Sequence, residues 1–224
     1  MLSTAAHERH NPDLLRLMPT TCGHVVEVGA SSGALAREYK KVNAKCHYVG
    51  VEVDPAFTEL AARYCDEAIT LDIERADEGF WRHQVDCDCW VFGDTLEHLR
   101  DPWHVLRQIR SRMSAHCVLV ACIPNAQHWS LQVRLSVGDF FYQDQGLLDR
   151  THLRWFTRKS LQSTLSHCGF ALQAWQPRIF NAQAGKPYHQ TIAKMAQLAG
   201  RDPQEAVEDC MPLQYVFRAG PGPV

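Results

Sequence analysis

Two carboxylates and an imidazole stand close together in Gly93-Asp94-Thr95-Leu96-Glu97-His98-Leu99. On one turn of helix Asp94, Glu97 and His98 fall at i, i+3 and i+4 and share a face. Such a face suits either a divalent cation or acid/base chemistry. A capped helix start with a buried, hydrogen-bonded His98 would use the same residues without any chemistry. Two later stretches add His, Arg and aromatic side chains: Ile123-Pro124-Asn125-Ala126-Gln127-His128, and the run from Gly146 to Thr157 that contains Asp149, Arg150, His152, Arg154 and Trp155.

A second constellation is suited to binding. Glu27-Val28-Gly29-Ala30-Ser31-Ser32-Gly33 reads as a strand end, a turn on small residues and a helix start. Gly29 permits the tight turn, small side chains let a ligand approach the backbone, and Gly33 lets the helix pack closely. The pattern is not the dinucleotide fingerprint G-x-G-x-x-G, since 31 and 32 are both Ser. Alone, such a loop is weak evidence. Glu52 and Val53 close the next strand, where a carboxylate can accept hydrogen bonds from the two hydroxyls of a ribose. Asp72 and Ile73 follow a third strand, where an acid can meet an adenine amino group and an apolar side chain can pack on the ring. A solvated loop residue or helix cap is the plain alternative for each acid. Three such features at three successive strand ends make a stronger case than any one of them.

The elements that must position these groups alternate. Strands are expected at 24–28, 47–53, 68–71, 89–92, 117–123, 170–175 and 213–218. Helices are expected over 32–41, after the caps Asp54-Pro55 and Asp101-Pro102, and from Thr157 to Gly169. The unbroken apolar run Cys117–Ile123 suits a central strand buried on both faces. The expected fold class is therefore α/β, a doubly wound, mostly parallel seven-stranded sheet. One domain over 1–224 is expected, with a core at 22–176 plus the strand near 213–218. Residues 126–150 interrupt the alternation after the fifth strand and are expected to form a lid. Residues 181–212 are a weaker interruption, and the tail 220–224 is expected to be disordered.

The 224 residues, 46% of them hydrophobic, suffice for a full core. A net charge of −2 gives no electrostatic footprint for non-specific nucleic-acid binding. Met1–His10 lacks the apolar core of a signal peptide, and no apolar run is long enough to span a bilayer. Nine cysteines without a C-x-x-C pair read as reduced thiols, which points to the cytoplasm.

The sequence resembles the class I S-adenosylmethionine-dependent methyltransferases over roughly 22–176, and more faintly to 218. Val-Val-Glu-Val-Gly-Ala-Ser-Ser-Gly is similar to their first motif, Val-Gly-Val-Glu-Val-Asp-Pro to the second-strand motif and Leu-Asp-Ile-Glu to the adenine-site motif. The resemblance implies S-adenosylmethionine as cofactor. Its contacts would be Glu27, Gly29, Ala30, Ser31 and Gly33 along the first loop, Glu52 and Val53 at the ribose, Asp72 and Ile73 at the adenine, and Gly93 and Asp94 after the fourth strand. Ser31 departs from the middle glycine usual in the family.

Asp94-x-x-Glu97-His98 resembles the acid-x-x-Glu-His motif of two branches, the methyltransferases of ubiquinone O-methylation and the small-RNA terminal 2′-O-methyltransferases. The latter add a later histidine, here His152. The resemblance implies Asp94, Glu97, His98 and His152 as ligands of a divalent cation such as Mg, although Asp stands at 94 where Glu is usual. The 147–157 segment most resembles bacterial methyltransferases (type 11 and type 23 kinds) of unassigned substrate, linked to glycan or secondary metabolism.

The function expected from these readings is methyl transfer to a small-molecule acceptor, a hydroxyl in the leading reading, with nitrogen and carbon acceptors left open. His98 or His152 would act as base with Glu97 orienting His98, or a metal would acidify the hydroxyl. Terminal 2′-O-methylation of RNA and a non-catalytic cofactor-binding protein on the same fold are the alternatives. No membrane partner is expected, nucleic acid is disfavoured by the charge, and the oligomeric state is not legible.

Overall fold

The computed structural model describes residues 9–222. Within them the chain runs α1 (Pro12–Leu17), β1 (His24–Val28), α2 (Ala34–Val42), β2 (His47–Glu52), α3 (Pro55–Ala61), β3 (Glu67–Thr70), α4 (Glu78–His83), β4 (Cys89–Gly93) and α5 (Pro102–Arg110). It continues through β5 (Val118–Pro124), α6 (Trp129–Ser136), α7 (Arg158–His167), β6 (Phe170–Arg178), α8 (Ala182–Gly185), α9 (His189–Leu198), α10 (Pro203–Asp209) and β7 (Gln214–Pro221). The caps act as their residue types predict. Asp54 accepts from Ala56 N at 2.9 Å, Asp101 from His104 N at 2.8 Å, and Thr157 and Ser160 form a reciprocal capping box.

The seven strands form one sheet in the order β3-β2-β1-β4-β5-β7-β6. The first five are parallel and β7 runs antiparallel to both its neighbours. The lone reversal has a local cause. β6 ends at Arg178, the chain makes its excursion through α8 to α10, and Leu213 N returns to Arg178 O at 2.9 Å. An excursion that starts and finishes at the same sheet edge sends the last strand back the other way. Asn125, fully buried, ties that excursion to the end of β5 by donating from Nδ2 to Asp209 O and Pro212 O, both at 2.8 Å.

Alternate residues of the central strands feed two cores, one on each face. Val26, Val28, Val49, Val51, Phe92, Leu119 and Ala121 bury on one side. Val25, Tyr48, Val91, Val120 and Cys122 bury on the other, covered by Leu14 of α1, by Met18 at its end and by Leu35 and Tyr39 of α2. Each of the Val, Leu, Met and Phe side chains among them contributes about 1.5–3 kcal/mol on burial. Most of the nine free cysteines are buried among these side chains, as small apolar residues.

In register, Val28 stands beside Val51 on one side and Phe92 on the other. The loops after β1, β2 and β4 therefore open at one edge of the sheet, where the strand order reverses between β1 and β4. The tail departs from expectation. Gly220 and Pro221 belong to β7, and Gly222 is held by its N donating to Gly169 O at 2.8 Å and by Arg110 Nη2 on its own carbonyl at 3.0 Å. Pro223, Val224 and residues 1–8, on which the tail and leader readings partly rest, lie outside the described residues. None of the helices described is long and apolar enough to cross a membrane.

Candidate active site

Six of the residues expected to bind the cofactor, Glu27, Gly29, Ala30, Ser31, Gly93 and Asp94, line one cavity of about 260 Å3 at the open edge of the sheet. Gly29 has φ 78°, and a Cβ there would collide with Thr95 Oγ1. That hydroxyl donates to Val28 O at 3.0 Å, so the loops after β1 and β4 are locked together at this glycine. Ser31 holds the left-handed conformation, φ 49°, that glycine adopts at least cost. The departure from the family pattern thus keeps the glycine-like backbone. Gly33 lies behind the loop, where a Cβ would stand 3.0 Å from Ala61 Cα. Its part is to let α2 start against the end of α3.

Glu52 closes β2 with both carboxylate oxygens on backbone amides. Oε2 accepts from Ser31 N at 2.9 Å, and Oε1 from Val53 N at 2.8 Å and Asp54 N at 3.4 Å. This fixes the rotamer and leaves further lone pairs for a diol. Val53 beside it is 65% exposed, an open apolar flank. Asp72 caps the short 3-10 turn Ile73–Arg75 by accepting from Glu74 N at 3.1 Å, and Ile73 is 4% exposed within the core. Of the two, Asp72 keeps the more accessible surface.

Glu27 is buried, and its Oε2 accepts from Tyr48 OH at 2.9 Å. Burial pushes its carboxyl up to about 8 against the opposing hydrogen bond, with the Glu52 charge adding to the rise. A cationic ligand would reverse that. Sequence reasoning missed the far wall, formed by Arg9, His10, Asn11 and Arg178. Arg178 pairs with Asp13 at 2.9 Å and donates to Gln214 Oε1 at 2.6 Å. Gln214 in turn donates to Asp94 Oδ1 at 2.6 Å. The only signal was an arginine at the end of β6.

The acid-x-x-Glu-His stretch is not a single α-helical turn. Asp94 has φ 53°, and only Leu96–His98 is helical, as a 3-10 turn. Asp94 thereby lines the cavity and accepts from Gln214, although its charge still lies near Glu97. Glu97, His98 and His152 do converge: one ligating atom from each lies within 4.8 Å of the others. Asp94 is not a member of that group.

Backbone hydrogen bonds dock the 147–157 loop onto the turn. Leu153 N and Arg154 N both donate to Glu97 O, at 2.8 and 2.9 Å. His98 Nδ1 pairs with Thr151 O at 3.1 Å and His152 Nδ1 with Leu147 O at 3.3 Å. A carbonyl only accepts, so each Nδ1 carries a hydrogen, and in the neutral imidazole the lone pair is on Nε2. Thr151, not Glu97, therefore orients His98, contrary to the sequence expectation. Both Glu97 carboxylate oxygens are buried without a hydrogen-bond partner. Burial, with Asp94 and Asp149 nearby, raises this carboxyl well above the ordinary range. His152 is shifted down, by burial first and by His98 second. His128, also noted in the sequence, caps α6 beside Ser130 and is buried, which holds it down to about 4.

A family profile described as a methyltransferase domain matches residues 5–174. The chain belongs to this methyltransferase family. Its fold matches that of the S-adenosylmethionine-dependent methyltransferases. A member from Archaeoglobus fulgidus aligns at TM-score 0.59 and 14% identity over 90% of this chain and 87% of the other. One from Listeria monocytogenes, described as a candidate of the same class, aligns at 0.61 and 10% over 95% and 97%. An O-methyltransferase of neocarzinostatin biosynthesis, solved with S-adenosylmethionine and 2-hydroxy-5-methyl naphthoic acid, aligns at 0.56 and 11% over 93% of this chain and 51% of the other. These identities establish the fold alone. No curated protein sequence matches this methyltransferase.

Proposed function

We propose that this methyltransferase moves the methyl group of S-adenosylmethionine onto a hydroxyl oxygen of a small-molecule acceptor, within a single cytoplasmic domain. The observation that carries the reading is the buried, unpartnered Glu97 carboxyl facing His98 and His152, three residues beyond the Asp94 that lines the cofactor cavity. The nine free cysteines support a reducing compartment. The small-molecule ligand of the neocarzinostatin enzyme supports the acceptor class.

The cofactor would lie with its methionine end against Glu27, Gly29 and Asp94 and its ribose on Glu52, with Asp72 at the adenine. In the transfer the S–CH3 bond breaks as the O–CH3 bond forms, leaving S-adenosylhomocysteine and a methyl ether. The chain's own part is to hold the hydroxyl in line with the methyl group, exclude water and receive the proton. The Nε2 lone pairs of His98 and His152 give that proton a place to go. Glu97, His98 and His152 also fit a divalent cation, since a buried carboxylate without partners and two imidazoles offer a mixed oxygen and nitrogen donor set, which suits a transition metal such as Mn2+ better than Mg2+. Bound there, a cation would lower the pKa of the acceptor hydroxyl.

A screen of acceptors with methyl-labelled cofactor, run with added divalent cation and with chelator, tests the reading. Label recovered on an ether oxygen supports it. Label recovered only on nitrogen, on carbon or on an RNA terminus overturns it, and tight cofactor binding without any transfer favours the non-catalytic reading.

A further inference from the structure

A second cavity, also of about 260 Å3, is walled by the segment that follows β5 and by Trp155. Its walls are Ala126, Leu131, Gln132, Leu135, Phe140 and Trp155. None of these carries a charge. The one amide has one of its N–H groups engaged, since Gln132 Nε2 donates to Gln127 O at 2.5 Å.

Trp155 connects this cavity to the Glu97 group. Its ring centroid is 6.0 Å from that of Phe140 and 6.0 Å from that of His152, and His152 is 4.9 Å from His98. Phe140 and Trp155 of the cavity wall thus adjoin the two imidazoles in one run of rings. The backbone around Trp155 is held on both sides. Leu153 N and Arg154 N donate to Glu97 O, and Phe156 O accepts from Ala126 N at 2.8 Å. Its place is therefore set by the same contacts that build the His98–His152 pair.

The lining selects a chemical class. A sugar would bury several hydroxyls with no partner, at about 1–3 kcal/mol each. An anionic body would enter without a cation on the walls. A planar apolar body meets the faces and edges of Phe140 and Trp155, which favour offset or edge-to-face ring contacts. The volume is just below the roughly 300–1,000 Å3 range of small-molecule sites, which suits a body of one or two fused rings.

We propose that this cavity is the acceptor subsite and that the acceptor is a neutral hydroxylated aromatic compound. Its rings lie against Phe140 and Trp155, and its hydroxyl reaches His152. The inference rests on the proposed O-methyl transfer and narrows it, placing the acceptor outside the glycans.

Binding is the direct test, because it is read without turnover. 2-Naphthol is titrated into the protein saturated with S-adenosylhomocysteine, followed by ligand-observed NMR, with methyl β-glucoside and 6-hydroxy-2-naphthoate as the sugar and anion comparisons. Naphthol is expected to bind at least tenfold more tightly than either. Leu135→Glu, at a side chain 64% exposed and therefore tolerant of charge, is expected to weaken naphthol at least tenfold with S-adenosylhomocysteine affinity unchanged. Leu135→Met is expected to retain it. Naphthol that fails to bind, or that binds Leu135→Glu as well as the wild type, overturns the inference. Transfer to an oxygen of the glucoside without naphthol binding also overturns it, yet leaves O-methyl transfer standing. Naphthol bound as expected but methylated by no variant or wild type keeps the subsite and removes the transfer reading.

Discussion

His98 and His152 meet edge to face with ring centroids 4.9 Å apart, although one follows β4 and the other lies in the loop before α7. Each is anchored through Nδ1 to a carbonyl of the later loop, Thr151 O and Leu147 O. The 147–157 loop therefore supplies one imidazole and orients both.

Glu52, held by the amides of Ser31 and Val53, is the residue proposed to receive the ribose. Glu52→Ala is expected to weaken S-adenosylmethionine by about 1.5–3 kcal/mol, the range for a hydrogen bond to a charged group. Calorimetric titration reads this directly, and unchanged affinity would remove Glu52 from the cofactor site.

Glu27 carries a pH signature. Its carboxyl, raised to about 8 by burial, is mostly protonated at pH 7 in the free protein. The cofactor's ammonium and sulfonium favour the ionised form, so binding should expel a proton. Affinity should then rise with pH and level off above about 8. Titrations at pH 7 in buffers of different ionisation enthalpy should show proton release in the wild type and none in Glu27→Gln. Equal proton counts in the two proteins would contradict the assignment.

Much of this was legible in the sequence. The apolar runs at 24–28, 47–53 and 117–123 announce strands because central parallel strands are buried on both faces, and Asp-Pro announces a helix start because both residues favour that position. Asp94 was misplaced because i, i+3, i+4 spacing presumes α-helical backbone, and a left-handed residue ends that presumption. His152 needed the family resemblance, since no local pattern carries a side chain from a loop to a distant turn. Arg178 reaches the cavity through the sheet order and Asn11 through the start of α1, and beyond an arginine at the end of β6 no local pattern announces either.

Glu97 should bind a cation if its orphaned oxygens are what they resemble. Added Mg2+ or Mn2+ is expected to raise the thermal midpoint of the wild type, since a ligand at 100 times its Kd stabilises by about 2.7 kcal/mol. Glu97→Gln should abolish the shift while folding normally. A midpoint indifferent to every divalent cation leaves Glu97, His98 and His152 as an acid/base group only.

Residues 137–147 present Val137, Phe141 and Tyr142 at 73%, 71% and 63% exposure. Such a segment is expected to cover the acceptor rather than to sit as fixed core. Hydrogen exchange there should outpace the sheet in the free protein and slow when cofactor product and acceptor are both bound. Protection equal to that of the central strands in the free protein would argue against a moving cover.

The central claim is that His98 and His152 serve the transfer step itself. The measurement is methyl transfer by His98→Ala and His152→Ala on a verified acceptor, with S-adenosylmethionine affinity determined on the same samples. Loss of one proton acceptor typically costs 10²–10⁴-fold in rate. Each variant is expected to lose about 100-fold or more in kcat with cofactor affinity within about twofold of wild type. Full turnover in both variants would contradict the account.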